Sequence, residues 1–287
     1  MWQLLVLLYF VFGTANYLLR QVLAKKLGEY NRLINSVFFL FFLLPATVIL
    51  FWFFPHNLNV GLLNLLFLLG GSLIWPIANI VAFEGNKKVD VGIFTIINNL
   101  SPIFTLIIAL PFLHESLKTL QFLGVGLLIL SGVLAASSQL NKKSLVSING
   151  ILICLLSAVI MGVAVAYERF MLSQVDFGTY LIYGWGAQIT WGAILAHKEL
   201  KKLPHLFSKA LGARQTLVTW GATGVLKSIA FVLALKMSTA SVISAATDFL
   251  SVAVVIAAYF YLKERQHIIS KALAVAAGVA GLLLIAK

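Results

Sequence analysis

The chain has 287 residues, of which 61% are hydrophobic and only 10% are Asp, Glu, Lys or Arg. Soluble domains carry roughly 45–50% apolar residues and need a charged coat, so a water-solvated globule is excluded and lipid must meet most of the surface. The formal net charge of +12 is not a nucleic-acid signature, because the Lys and Arg sit between long apolar runs rather than on one face with interleaved aromatics.

A helix needs about 20 largely apolar residues to cross a hydrocarbon core of about 30 Å. Windows of that size predict helices over 2–24, 32–54, 62–84, 91–113, 119–138, 148–171, 178–197, 213–235, 239–262 and 268–286. The first carries Gly13, Asn16, Tyr17 and Arg20 on one side, and the third contributes Ser72, Trp75 and Asn79. The fourth presents Thr95, Asn98, Asn99, Pro102 and Thr105. Adjacent Glu168 and Arg169, near the end of the sixth, are expected to snorkel to the interface. The seventh has Tyr180, Tyr183, Gly184 and Gln188, with Trp185 and Trp191 nearby, and the eighth holds Lys227 in mid-span. In the ninth, Ser241, Ser244, Asp248 and Ser251 follow steps of three, four and three, which stacks them on one face. Small residues at Ala272, Ala276, Ala277, Gly278 and Gly281 permit close helix approach in the tenth, within a monomer or between the copies of a homodimer.

Punctuation between the segments fits this division: Pro55-His56-Asn57, Asn86-Lys87-Lys88, Asn141-Lys142-Lys143 and Lys201-Lys202-Leu203-Pro204. Barrel strands would alternate apolar and polar residues over about ten positions, and these runs do not. The start, Met1-Trp2-Gln3, lacks a basic n-region, so the first segment is expected to be retained rather than cleaved. Cys154 is the single cysteine, so no intramolecular disulfide can form, and the five histidines fall at or near loops without forming a ligand cluster. No Gly-x-x-x-x-Gly-Lys-Ser/Thr loop and no Gly-x-Ser-x-Gly elbow occur. No cofactor, no ATP hydrolysis and no enzymatic chemistry are therefore expected.

Shifting the sequence by 149 positions against itself brings Gly13 onto Gly162, Arg20 onto Arg169, Lys87 onto Lys236, Leu113 onto Leu262, Glu115 onto Glu264 and Gly132 onto Gly281. The shared offset, with segment boundaries in register, marks two homologous halves. Five spans per half is an odd number, so the second half enters the membrane from the opposite side. The expected fold class is an all-α integral membrane protein of ten transmembrane helices, as two inverted five-helix repeats. Residues 1–138 and 147–287 form the repeats and 139–146 the linker. Such halves exchange conformations and open a central site to one side and then the other.

The stretch from Val91 to Gly132, with Ser101-Pro102 in the fourth span, Phe112-Leu113-His114-Glu115 at its exit and Gly124 to Gly132 in the fifth, resembles the EamA-type repeat of the drug/metabolite transporter superfamily. A second copy runs from Ser241 to Gly281, with Tyr261-Leu262-Lys263-Glu264, and departs from the pattern in having Ser251 in place of Pro102. The resemblance implies a ten-helix carrier whose central cavity is lined mainly by helices other than the fifth and tenth, in a superfamily that handles amino acids, nucleotide sugars, quaternary amines, triose phosphates and drugs. Glu115 and Glu264 each precede the helix that closes their repeat, where a carboxylate favours the positive end of the helix dipole.

Ionised side chains inside a bilayer are expensive and usually face a cavity. Lys227 lies about ten residues before the turn near Met237-Ser238 and Asp248 about ten after it, so at about 1.5 Å per residue both reach the same depth. They are expected to be neighbours, as a structural pair or as a pair that also lines the substrate path. Asn99 falls on Asp248 by the 149 shift, and with Asn98, Asn79, Trp75, Tyr183, Gln188 and Ser244 completes the candidate substrate-binding set. The function expected is secondary transport of a small polar metabolite, an amino acid or an organic cation, coupled to H+ or Na+ or driven by exchange; a channel or lipid flippase is the alternative. Setting Lys227 aside, sixteen Lys and Arg fall on one set of loops and four (Lys118, Arg169, Lys236 and Lys287) on the other. The positive-inside rule then puts both termini outside a cell membrane, whereas the resemblance implies both inside.

Overall fold

The structure is a computed structural model and describes residues 1–89, 94, 97–137, 148–209, 214–250 and 268–285. Among the described residues there is no strand. Helix α1 spans Trp2–Leu27, α2 Asn31–Phe51 and α3 Leu62–Lys88. Next come α4 at Ser101–Phe112, α5 at Thr119–Ser137 and α6 at Ile148–Gln174. The segments Phe177–Tyr180, Leu181–Trp185 and Gly186–Leu195 follow one another without a break and together make α7. A short helix at Leu203–Lys209 precedes α8 at Arg214–Met237. The chain continues with α9 at Ala240–Asp248 and α10 at Ile268–Ile285.

Five helices are long and apolar enough to cross a membrane: Trp2–Arg20 within α1, α2, α3, α6 and α8. Shorter apolar helices cover Ser101–Phe112, Thr119–Leu134 and Ala272–Gly281. The predicted fourth and ninth spans run partly through 90–93, 95–96 and 251–262, and the linker 139–146 lies wholly outside the described residues.

Outward faces are apolar and exposed, with Leu4, Val11, Val48, Leu62, Leu66, Leu152 and Leu156 open to the surroundings, while Asn16, Asn35, Thr105, Glu168, Gln188 and Ser244 are buried. A soluble monomer does not expose so large an apolar surface, and the inversion is that of a bundle in lipid. Packing pairs α1 with α8, α3 with α6, and α5 with α10. Glycines allow the closest approaches. A Cβ at Gly281 of α10 would lie 2.8 Å from the Gly124 carbonyl oxygen of α5.

Prolines shape the helices around the centre. The Pro45 ring displaces the carbonyl four residues earlier and Pro45 has no N–H to offer it, and the turn before it, Phe38–Leu43, widens into a π-helix. In α3 the helix breaks at Ser72-Leu73, just before Pro76, and Asn35 Nδ2 donates to the Pro76 carbonyl at 3.4 Å. Pro102 occupies the first turn of α4, where a missing N–H is harmless.

At one end of the bundle the α8–α9 turn is held from both sides. Arg169 Nη1 donates to the carbonyls of Leu235 and Lys236 at 3.0 and 3.1 Å. The Glu115 carboxylate accepts from the amides of Ala240 and Ser241 and from the Ser241 hydroxyl, at 2.6, 3.2 and 2.8 Å. The cation meets the negative end of α8 and the carboxylate the positive end of α9, and the two side chains lie 4.0 Å apart. Two expectations are corrected here. Glu115 caps α9 across the molecule, not the helix that follows it in sequence. Arg169 is tied to backbone carbonyls and does not snorkel.

Candidate functional site

The described helices enclose a cavity of about 140 Å3, room for roughly ten waters at about 10–15 Å3 of occupied volume each. Its wall draws on α1 (Tyr9, Asn16, Arg20), α2 (Asn35, Phe38, Phe39, Leu43), α3 (Trp75, Asn79, Phe83), α4 (Ser101), α6 (Met161, Val165, Glu168), α7 (Trp185, Gln188), α8 (Trp220, Gly224, Lys227, Ser228, Phe231, Val232) and α9 (Ser244, Thr247). Among the described residues, none of the lining comes from α5 or α10. Both π-helical stretches, Phe38–Leu43 and Leu181–Trp185, border it.

Of the residues singled out from sequence, Lys227, Asn79, Trp75, Gln188 and Ser244 line this cavity. Lys227 Nζ stands 5.7 Å over the Tyr9 ring, within cation–π range. The Ser244 hydroxyl is engaged with Thr105 Oγ1 at 3.0 Å. Gln188 Nε2 donates to the Tyr180 hydroxyl at 3.4 Å. Three residues stand elsewhere. Asn98 Oδ1 accepts from Ser157 at 3.3 Å, Asn99 packs against Gly132 of α5, and the Tyr183 hydroxyl donates to the Leu58 carbonyl at 3.0 Å. The Asp248 side chain lies outside the described residues, so its relation to Lys227 is not drawn.

Glu168, expected at the interface, is buried at 2% exposure on the cavity wall. Helix α6 continues to Gln174, which sets Glu168 almost two turns inside the helix end. Tyr180 donates to Glu168 Oε1 at 2.7 Å, and the Trp75 indole N–H, buried and short of a full hydrogen bond, also interacts with this carboxylate.

Sequence reasoning also left Arg20 and Asn35 out of the site. Arg20 stacks with Cζ 4.4 Å from the Phe83 ring centroid. Its Nε and Nη2 are buried without a hydrogen-bond partner. Asn35 is the one side-chain amide within the predicted second span, 32–54, the signal that could have marked it. Asn16, by contrast, is used structurally, donating to the Trp220 carbonyl at 2.7 Å.

Comparison with known proteins agrees with this architecture. A solved chain described only as "Crystal structure of protein" superposes with a TM-score of 0.69 over 97% of this chain and 98% of its own, at 14% identity, which establishes likeness of fold. A search of curated proteins finds no match. Residues 1–137 match the model of the EamA-like transporter family. That match, on a bundle of apolar helices around a polar cavity, places the first half of this multi-pass membrane protein in the EamA-like transporter family, within the drug/metabolite transporter superfamily.

Proposed function

We propose that this chain is a secondary transporter that moves a small polar metabolite across the cell membrane by alternating access of two inverted five-helix halves, with the α1–α9 cavity as its substrate site. The observation that carries this reading is the wall itself, to which the first half gives Tyr9, Arg20, Trp75 and Asn79 and the second Glu168, Gln188, Lys227 and Ser244. A site shared between halves changes access when one half rocks against the other. The packing supports a two-fold relation between the halves: α1 lies on α8 and α3 on α6, so each pair becomes the other when first and sixth, third and eighth positions are exchanged. Lys227 and Asp248 remain the proposed charged pair of this site, and transport is driven by H+ or Na+ or by exchange.

The test is counterflow in proteoliposomes loaded with a mixed metabolite extract, followed by mass spectrometry of what exchanges. Saturable, accelerated exchange of one solute class is expected. Linear, unsaturable flux would favour a channel, and lipid scrambling without solute exchange would favour a flippase.

A further inference from the structure

Arg20 is the anomaly of the cavity. The residue 149 positions on, Arg169, spends its guanidinium on two helix-end carbonyls and lies 4.0 Å from Glu115, whereas Arg20 leaves Nε and Nη2 without a partner. Those two nitrogens share one edge of the guanidinium plane, and their N–H bonds run parallel, the geometry that grips two oxygens of a carboxylate or phosphate at once. Phe83 supports the plane from its face at 4.4 Å. Lys227 lines the same wall. The described carboxylate of the cavity, Glu168, is already committed to Tyr180. A guanidinium with an open edge beside a polar cavity is a poor structural device, because an unpaired buried charge destabilises the fold.

Resting on the transport reading above, we infer that the substrate presents an oxyanion, a carboxylate or a phosphate, which Arg20 grips side-on while Lys227 adds positive potential on the same wall. A rotamer change at the end of the Arg20 side chain turns the free edge to the entering group. Asn79, half-buried on the same wall, offers an amide to the body of the solute. Of the two substrate classes expected from sequence, an organic cation does not suit this wall, and an amino acid suits it through its carboxylate.

The experiment is thermal unfolding of the purified wild type, Arg20→Gln, Arg20→Lys and Lys227→Gln with succinate, glycerol 3-phosphate, alanine or choline. At about 100-fold above Kd, an oxyanion probe should raise the wild-type Tm by about 5 °C. Succinate and alanine report a carboxylate site and glycerol 3-phosphate a phosphate site. Arg20→Gln should weaken that probe at least about tenfold, Arg20→Lys should keep part of the shift, and ligand-free Arg20→Gln should unfold no earlier than wild type, as a residue with a structural role would not allow. Lys227→Gln gives a second reading through weakened oxyanion binding if Arg20→Gln does not fold. An oxyanion shift unchanged in Arg20→Gln and Lys227→Gln, a shift by choline alone, or no shift with any oxyanion would overturn the inference. Counterflow of the same probes separates the two readings. Arg20-dependent binding without saturable exchange sinks transport and leaves the oxyanion site, while saturable choline exchange indifferent to Arg20→Gln does the reverse.

Discussion

The Tyr180 hydroxyl donates 2.7 Å to Glu168 Oε1 and so ties α7 to α6 at the cavity wall. Removing that donor leaves a buried carboxylate short of a partner. Tyr180→Phe is expected to lose about 1.5–3 kcal/mol of stability, read by denaturant unfolding in mild detergent. In a Glu168→Gln background the loss should fall by at least half, since the charged acceptor has gone. Equal losses in both backgrounds would show that the two side chains are not coupled.

Glu115 caps a helix that begins 125 residues later. Glu115→Ala should destabilise by about 1–2 kcal/mol, with Glu115→Gln intermediate because one acceptor oxygen survives. The local signature is faster amide exchange at Ala240 and Ser241. Unchanged exchange there would mean that the Thr239 side chain, which accepts from the Val242 amide at 3.4 Å, caps α9 unaided.

Close packing of α5 on α10 makes a contrast between two glycines. At Gly281 a Cβ would meet Gly124 O at 2.8 Å, whereas at Gly126 nothing lies within 4 Å. Gly281→Leu is expected to destabilise by about 1–3 kcal/mol, and Gly126→Leu to stay within about 0.5 kcal/mol of the wild type. Chemical denaturation of both variants checks the order.

Lys227 and Asp248 are tested as a pair by charge removal. If they neutralise one another, Lys227→Met or Asp248→Asn alone should lose up to about 3–5 kcal/mol, less where the cavity is hydrated, and the double variant should regain much of it. Uptake should stay absent in the refolded double variant. Near-normal uptake there would remove both residues from the substrate site.

Sixteen basic residues against four predict that the ends of the chain face away from the cytoplasm. A reporter fused after Lys287 that is active only in the cytoplasm should stay silent, and activity would reverse the orientation.

Helices were legible because twenty-residue apolar windows are a property of local composition. Their ends were less so. Glu168 looked peripheral because its window closed at 171, while α6 reaches Gln174. A few residues of helix turn a snorkelling side chain into a cavity wall. Lys227, Trp75 and Asn79 were found since a charge, an indole and an amide in mid-span are expensive in lipid. Asn98 and Tyr183 share that cost but meet it with hydrogen bonds to Ser157 of α6 and to the Leu58 carbonyl, and Asn99 lies against Gly132 of α5. Which of two faces a polar residue takes is fixed by packing between distant helices, and periodicity within one helix does not carry it.

The carboxylate at the head of α9 also sets an order of events during synthesis. Glu115 leaves the ribosome well before Ala240 exists, so the first half waits with a hydrated acceptor at its rim. Only when the second half has been threaded does the amide end of α9 arrive to displace that water. A chain cut between the halves would therefore present one fragment with an idle anion and another with an unfinished helix. The two would need to find each other in the bilayer before either end was satisfied, which gives co-insertion of both fragments an advantage that isolated insertion lacks.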